Sequence, residues 1–140
     1  MKINFIIDNK LLRFSIIGAI NTIIGSVIMF SLYNVAQLSY WISSASNYFI
    51  TSILSFFMNK YFTFGIKQWS VLMIFLFILT ILCSYLIAYG IAKPVTSYLL
   101  MNSSIKIREN IALFTGMCLF TLFNYLGQRF IVFKNKKADV

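Results

Sequence analysis

The stretch Asn59-Lys60-Tyr61-Phe62-Thr63-Phe64 closes one long apolar run of the chain, and Gln128-Arg129-Phe130-Ile131-Val132-Phe133 closes another. We call each of these stretches a collar. Both collars place an amide first, a cation second and a phenylalanine last, at a constant offset of 69 residues. A repeat spaced by about half of the chain indicates an internal duplication. The sequence therefore predicts two related halves, each of which ends in a collar.

The composition of the chain is that of a membrane protein. Hydrophobic residues make up 60% of the 140 residues and charged residues only 11%, with a mean hydropathy of +0.85, whereas soluble domains carry about 25% charged residues. We therefore predict an all-α integral membrane protein that forms one domain over residues 1–140. Its apolar runs predict four transmembrane helices, at residues 14–33, 41–62, 69–92 and 110–132. The first run, at about twenty residues, is too long for the h-region of a cleaved signal peptide.

The distribution of cations predicts the orientation of these spans. With four spans both termini lie on one side, and nine of the 12 Lys and Arg residues fall on that side. They are Lys2, Lys10, Arg13, Lys60, Lys67, Arg129, Lys134, Lys136 and Lys137. The positive-inside rule then puts both termini in the cytoplasm, and two repeats of two spans each insert as parallel repeats. Because cations at span ends meet anionic membrane lipids, the net charge of +9 does not indicate nucleic acid as a partner.

Side chains for acid–base or metal chemistry are missing from the apolar runs. The chain has no histidine, and no acidic residue occurs between Asp8 and Glu109. Cys83 and Cys118 lack metal-ligand spacing, and we expect them to be small buried hydrophobes. The sequence therefore predicts no catalytic residues, no metal site and no cofactor. A proton-driven multidrug pump would lack its usual intramembrane carboxylate.

A polar stripe follows one face of the second predicted span. It consists of residues at every fourth position, Asn47, Thr51, Ser55 and Asn59. At the offset of 69 the corresponding positions hold Gly116, Phe120, Asn124 and Gln128. Amides in lipid are costly without partners. Their repetition next to both collars indicates either hydrogen bonds between helices or a path for a polar ligand.

Lys60 and Arg129 occupy equivalent positions in the two collars, and Arg13 lies near the same level. In one interpretation these cations set the topology and reach lipid phosphates. In the other they bind a specific phosphate, because an amide beside a cation can hold a phosphate oxygen and a sugar hydroxyl together. Asn21 and Asn47 lie deeper in their spans, where they either bond a neighbouring helix or line a groove for a head group.

Two local features are expected in the second half of the chain. Lys93-Pro94 is a natural stop for a helix and predicts the end of the third span. Glu109 is flanked by Lys106 and Arg108. We expect it to form a local ion pair with one of them at the start of the fourth span, where an acid also suits the helix N-terminus.

These motifs resemble the GtrA-like membrane proteins over nearly the whole chain. The resemblance rests on Arg13-Phe14, Gly18, Asn21-Thr22, Asn124 and the two collars. Lys60 stands where the family often has Arg, and Gln128 where Asn is common. The resemblance implies a flippase for a polyprenyl-phosphate-linked monosaccharide, such as undecaprenyl-phosphate glucose, in the bacterial cytoplasmic membrane. Membrane glycosyltransferases would load the sugar and use it outside for cell-surface polysaccharide synthesis or glycosylation.

In a flippase of this kind, Lys60, Arg129 and Arg13 would bind the phosphate. The sugar path would be lined by Asn59, Gln128, Asn124, Ser55, Asn47 and Asn21. Four helices are few to shield a sugar, so a homodimer is expected, with a small-residue face of the first span from Ser15 to Gly25 as its seam. The alternative is a membrane anchor or regulatory subunit of a polyprenyl-phosphate glycosyltransferase, for which the collars would be a docking surface.

Overall fold

The structure is a computed structural model that describes residues 9–63, 65–68 and 70–132. It contains four α-helices: α1 (Asn9–Asn34), α2 (Tyr40–Met58), α3 (Val71–Leu99) and α4 (Ile105–Gly127). Within the described part of the chain there is no β-strand. The expectations for Lys2, Lys134, Lys136, Lys137 and the phenylalanines that end both collars lie outside the described residues.

Three helical stretches are long and apolar enough to cross a membrane: Leu12–Asn34, Val71–Leu99 and Ile105–Val132. They confirm the prediction of an all-helical, multi-pass membrane protein. The α2 helix is not among the three, because seven of its 19 residues are serine, threonine or asparagine. Part of this polarity is buried inside the protein, since Ser43, Ser44, Asn47 and Thr51 are all less than 10% exposed.

The helices form two antiparallel hairpins, α1 with α2 and α3 with α4, joined by short connections as in helical bundles. In the first hairpin, Gly25 of α1 lies against Asn47 of α2. In the second, Gly116 of α4 lies against Tyr89 of α3. Gly25, one member of the small-residue face of α1, is in contact within the chain, while a Cβ on Gly18 would have nothing within 4 Å; the homodimer stays a prediction.

Both collars begin with a π helix. The segments Asn59–Thr63 and Gln128–Val132 continue α2 and α4 in this rarer, wider helix. Short π-helical segments are uncommon and often occur at functional sites. The two π helices meet at one end of the molecule, where the Asn59 Nδ2 donates a hydrogen bond to Gln128 Oε1 at 3.2 Å. We call this end the collar end.

Two apolar clusters hold the helices together. One lies at the collar end, around Phe56, Phe77 and Val132. The other lies towards the opposite end, around Tyr89 and Leu113. Isoleucine, leucine and phenylalanine side chains cover the outward faces of the helices, as expected where the surroundings are lipid.

The expectation that both cysteines are buried is wrong, since Cys83 and Cys118 are exposed. The physical reason is that an apolar run in a membrane protein includes the outward face as well as the core. A small apolar residue in such a run can therefore lie on either face.

The predicted helix stop at Lys93-Pro94 is also wrong. Helix α3 continues through Pro94 to Leu99, and the connection to α4 shrinks to residues 100–104. Proline removes one backbone donor, but membrane helices tolerate this where side chains supply other bonds. Here the Thr96 hydroxyl donates to the carbonyl oxygens of Ala92, at 2.8 Å, and of Lys93, at 3.2 Å.

Candidate functional site

A groove that is partly open to the outside lies between α1, α2 and α4. Its polar lining consists of Asn21, Thr22, Asn47, Thr51, Ser52, Ser55, Asn59, Thr121 and Asn124. Apolar side chains such as Phe14, Ile81 and Phe120 complete the walls. Among the described residues that line the groove, none is charged. The groove is therefore an uncharged space in which amide and hydroxyl groups lie among apolar side chains.

The collar end of the groove is crossed by a chain of hydrogen bonds that we call the amide bridge, made of Ser55, Asn59, Gln128 and Asn124. The Asn59 amide donates to Ser55 Oγ at 3.0 Å, and the Gln128 amide donates to Asn124 Oδ1 at 3.2 Å. These two bonds lie at equivalent positions of the collars, and the Asn59–Gln128 bond joins them. Thr63 Oγ1 donates to Asn59 Oδ1 at 3.1 Å. The amides next to the collars thus bond each other between helices.

Asn21 and Asn47 lie deeper in the same groove. Asn47 is 2% exposed, and its Oδ1 lies 2.1 Å from the place that a Cβ on Gly25 would take. Only glycine fits there, so α1 and α2 approach each other closely at this level. The amide nitrogen of Asn47 faces the sulfur of Met29 at 3.9 Å. The buried Oδ1 of Asn21 has no hydrogen-bond partner in the described part of the chain.

Arg13 and Arg129 are both exposed at the collar end of the groove. The Arg13 Nη1 donates to the carbonyl oxygen of Phe62 at 3.2 Å. Arg129 donates to the hydroxyl of Tyr125, and the Tyr125 ring packs on Phe14 with 4.9 Å between ring centroids. Phe14, which follows Arg13, lines the groove, but neither Arg13 nor Arg129 is among the described residues that line it.

Lys60 differs from Arg129 although the two hold equivalent positions in the collars. Its side chain is 0% exposed. Its Nζ lies 3.3 Å from the Tyr61 hydroxyl oxygen and 4.4 Å from the centroid of that ring. Like Arg13 and Arg129, Lys60 is not among the described residues that line the groove. The structure therefore leaves Arg13 and Arg129 exposed at the collar end and Lys60 buried there, and their role in phosphate binding stays a prediction.

Aromatic side chains close the groove towards the opposite end. The Tyr48 ring stacks on Phe120 with 3.8 Å between centroids, and the Tyr48 hydroxyl lies 2.8 Å from that of Tyr89. The sequence analysis did not identify this layer. The spacing of Tyr40, Tyr48, Tyr85 and Tyr89 was a usable signal, since residues four or eight apart share a helix face.

Polar bonds then tie the hairpins together at the end opposite the collars. Glu109 of α4 forms an ion pair with Lys93 of α3 at 3.1 Å and accepts a hydrogen bond from Tyr33 of α1. The amides of Asn34 and Asn110 bond each other reciprocally, at 3.0 and 3.1 Å. The expected local pair of Glu109 with Lys106 or Arg108 is wrong, because α4 presents Glu109 towards α3 and α1.

Comparison with known families identifies the chain. The family model described as GtrA/DPMS, transmembrane domain, matches residues 13–133. The chain belongs to the GtrA/DPMS transmembrane domain family. This confirms the resemblance that the collars and the first span indicated. No curated protein and no solved structure matches the chain.

Membership relates this membrane protein to the handling of sugar-linked polyprenyl phosphates, by proteins that are generally non-catalytic. The match begins at Arg13 and ends with the last residue of the second collar. It therefore contains the groove and every residue that the sequence analysis placed in a binding site. Of those predicted for a sugar path, Asn21, Asn47, Ser55, Asn59 and Asn124 line the groove. Gln128 is fully buried behind them in the amide bridge.

Proposed function

We propose that this GtrA/DPMS protein is a flippase that moves a polyprenyl-phosphate-linked monosaccharide, such as undecaprenyl-phosphate glucose, across the bacterial cytoplasmic membrane. The observation that carries the proposal is the uncharged groove between α1, α2 and α4, whose lining includes amide and hydroxyl side chains. A sugar has many hydroxyls, which need hydrogen-bond partners when they leave water. The groove offers amides and hydroxyls to them, while the prenyl chain stays in lipid.

The proposed topology has four spans, with α2 and its π helix as the second. These 19 and five residues reach about 36 Å at the rise of an α-helix, which suffices for a hydrocarbon core of about 30 Å. The two hairpins would be parallel repeats, with both collars on the cytoplasmic side. Support comes from the two π helices, which occupy positions 69 residues apart, and from the Asn59–Gln128 bond between them.

In this proposal Arg13 and Arg129 bind the phosphate of the lipid-linked sugar. Guanidinium groups suit this role because their planar fork bonds two phosphate oxygens at once. Both side chains are exposed at the collar end, so a phosphate can reach them without a rearrangement of the helices. Lys60 would have to leave its buried position beside Tyr61 to contact a phosphate directly.

No ion relay is assigned to the flip. The described residues that line the groove include no carboxylate and no histidine, the side chains that commonly form proton relays in membrane transporters. The proposal is a facilitated flip, driven by a glycosyltransferase that consumes the lipid-linked sugar on the outer side. A second glycosyltransferase would load the sugar on the cytoplasmic side.

The test is translocation in proteoliposomes. A polyprenyl-phosphate hexose is placed in one leaflet, and its appearance in the other is followed for the wild type, Arg13→Ala/Arg129→Ala and Lys60→Ala. Loss of both arginines should slow translocation at least about tenfold, since charge-assisted hydrogen bonds are lost. Lys106→Ala is the matched control, because Lys106 is an exposed cation at the start of α4, and it should translocate at the wild-type rate.

The second candidate function is an anchor or regulatory subunit for a membrane glycosyltransferase. It is favoured by the exposed cations at the collar end, Arg13, Lys67 and Arg129, which could dock a partner. Replacing Asn47 and Asn124 by leucine should stop a flippase but leave such a surface intact. If the wild type moves no hexose lipid yet co-purifies with a glycosyltransferase, the anchor replaces the flippase.

A further inference from the structure

The amides around the groove fall into two groups with different hydrogen bonding. At the collar end, Asn59 bonds to Ser55, Gln128 and Thr63, and Gln128 bonds on to Asn124. Asn59 and Gln128 are 2% and 0% exposed. Their hydrogen-bonding groups already have partners within the protein. A ligand could bind to them only by breaking hydrogen bonds between the hairpins. The amide bridge is thus a structural connection between the two halves.

The two amides deeper in the groove, Asn21 and Asn47, have hydrogen-bonding groups without strong partners. The Asn21 Oδ1 is buried without a partner in the described part of the chain. The Asn47 nitrogen has a thioether sulfur at 3.9 Å, which is a weak acceptor. Asn21 lies one helical turn before Gly25, the residue that Asn47 contacts, and both amides line the same groove. Two residues that line the inner end of the groove thus carry an unpaired acceptor and a weakly bonded donor.

We infer that Asn21 and Asn47 form the sugar-binding subsite of the groove, and that this subsite takes hydroxyl groups of an uncharged monosaccharide. The inference rests on the proposed function, in that it takes the ligand to be a lipid-linked sugar. A hydroxyl both donates and accepts, so it can donate to Asn21 Oδ1 and accept from the Asn47 amide. Leaving a buried acceptor unpaired is costly, and an arriving hydroxyl removes that cost.

The lining of the groove also disfavours the binding of a negatively charged sugar. An ionised carboxylate that enters an apolar protein needs a charged or strongly bonding partner. The described side chains around Asn21 and Asn47 in the groove are Gly18, Thr22, Thr51 and apolar residues such as Met117. None of them carries a charge, so a sugar acid would be bound more weakly than a neutral hexose.

The experiment measures binding separately from translocation. A short-chain prenyl-phosphate glucose is titrated calorimetrically into the detergent-solubilised protein, followed by each of its monodeoxy analogues and by the corresponding glucuronic acid. For the wild type, removal of the hydroxyl that meets Asn21 should weaken binding about three- to tenfold, as for one neutral hydrogen bond. The Asn21→Leu variant should bind the parent ligand more weakly by the same factor, and it should bind the parent and that deoxy analogue with equal affinity. The glucuronic acid should bind at least about tenfold more weakly than glucose.

Thr96→Val is the control. Thr96 lies in α3, is not among the described residues that line the groove, and donates its hydroxyl to the Ala92 carbonyl oxygen at 2.8 Å, so the variant should discriminate among the analogues as the wild type does. The inference is overturned if Asn21→Leu binds the parent as tightly as the wild type, or if it discriminates among the analogues unchanged. If the glucuronic acid derivative binds as tightly as the glucose derivative, the inference that the subsite takes an uncharged monosaccharide is overturned. A wild type that binds with this Asn21-dependent discrimination but moves no lipid contradicts the flippase and leaves the subsite standing.

Discussion

The two hairpins share one plan but differ in how their helices meet. In α3–α4, a Cβ on Gly116 would lie 2.6 Å from the Tyr89 ring, and a Cβ on Gly127 would lie 2.3 Å from Thr80 Cγ2. In α1–α2, only Gly25 is pressed in this way, while a Cβ on Gly18 would have nothing within 4 Å. Two glycines are tightly packed in the second hairpin and one in the first, and Gly18 of the first hairpin lines the groove that α4 also borders.

One pair of positions accounts for much of this difference. Asn47 of α2 and Gly116 of α4 are separated by the repeat offset of 69 residues. The glycine leaves room for the ring of Tyr89, which packs in the apolar cluster of the second hairpin. The asparagine instead brings an amide to the groove wall. Equivalent positions thus serve packing in one half and polar lining in the other.

The largest expected effect comes from filling the tight contact of the second hairpin. Gly116→Ala places a methyl group against the Tyr89 ring, and overpacking of this kind costs about 1–3 kcal/mol. Gly90→Ala is the control, because Gly90 is also in α3–α4 but has open space around its Cβ position. Thermal unfolding in detergent should show a clearly lower unfolding temperature for Gly116→Ala and an unchanged one for Gly90→Ala. Equal unfolding temperatures would contradict the tight packing of this hairpin.

An effect of similar size is expected from the amide bridge that joins the two hairpins. Asn59→Leu or Gln128→Leu leaves the other buried amide without its partner, at a cost of about 1–3 kcal/mol in the free energy of unfolding. In the double variant both partners are apolar, so its loss should be smaller than the two single losses together. Denaturant unfolding of the four proteins measures the coupling. Strictly additive losses would show that Asn59 and Gln128 do not bond each other.

The smallest effect is expected at the opposite end, where the ion pair of Glu109 and Lys93 joins α4 to α3. These side chains are 20% and 34% exposed, and pairs that reach the surface contribute at most about 1 kcal/mol. Glu109→Gln should lower the free energy of unfolding by about 0.5–1 kcal/mol, and high salt should reduce the difference from the wild type. Lys106→Gln, at an exposed cation of the same helix, should change nothing. A loss that salt leaves unchanged would mean that the Tyr33 bond, and not the ion pair, matters at Glu109.

The sequence was sufficient to predict the helices and the equivalence of the collars, because hydropathy and spacing are local properties. The offset of 69 led directly to Asn59 and Gln128, which bond each other. It did not predict that both collars form π helices. It also could not separate buried Lys60 from exposed Arg129, since burial depends on which face of each helix meets a neighbour.

Contacts between side chains of different helices could not be predicted from the sequence. The pairing of Glu109 with Lys93 depends on the register of α3 against α4, and so on the continuation of α3 through Pro94. The contact of Asn47 with Gly25 depends on the register of α1 against α2. The polar stripe of α2 was visible in the sequence, but its division into bonded amides and amides with free capacity was not.

The most direct test of the account fills the groove without touching its polar groups. Gly18→Leu adds a side chain where nothing lies within 4 Å of the Cβ position, and Gly90→Leu adds the same side chain at an open position of α3 outside the groove lining. Translocation of a polyprenyl-phosphate hexose is measured in proteoliposomes for both variants, with unfolding temperature as the check on folding. We expect Gly18→Leu to fold as stably as Gly90→Leu but to lose translocation, while Gly90→Leu keeps it. Wild-type translocation by a folded Gly18→Leu would contradict the groove as the path of the sugar.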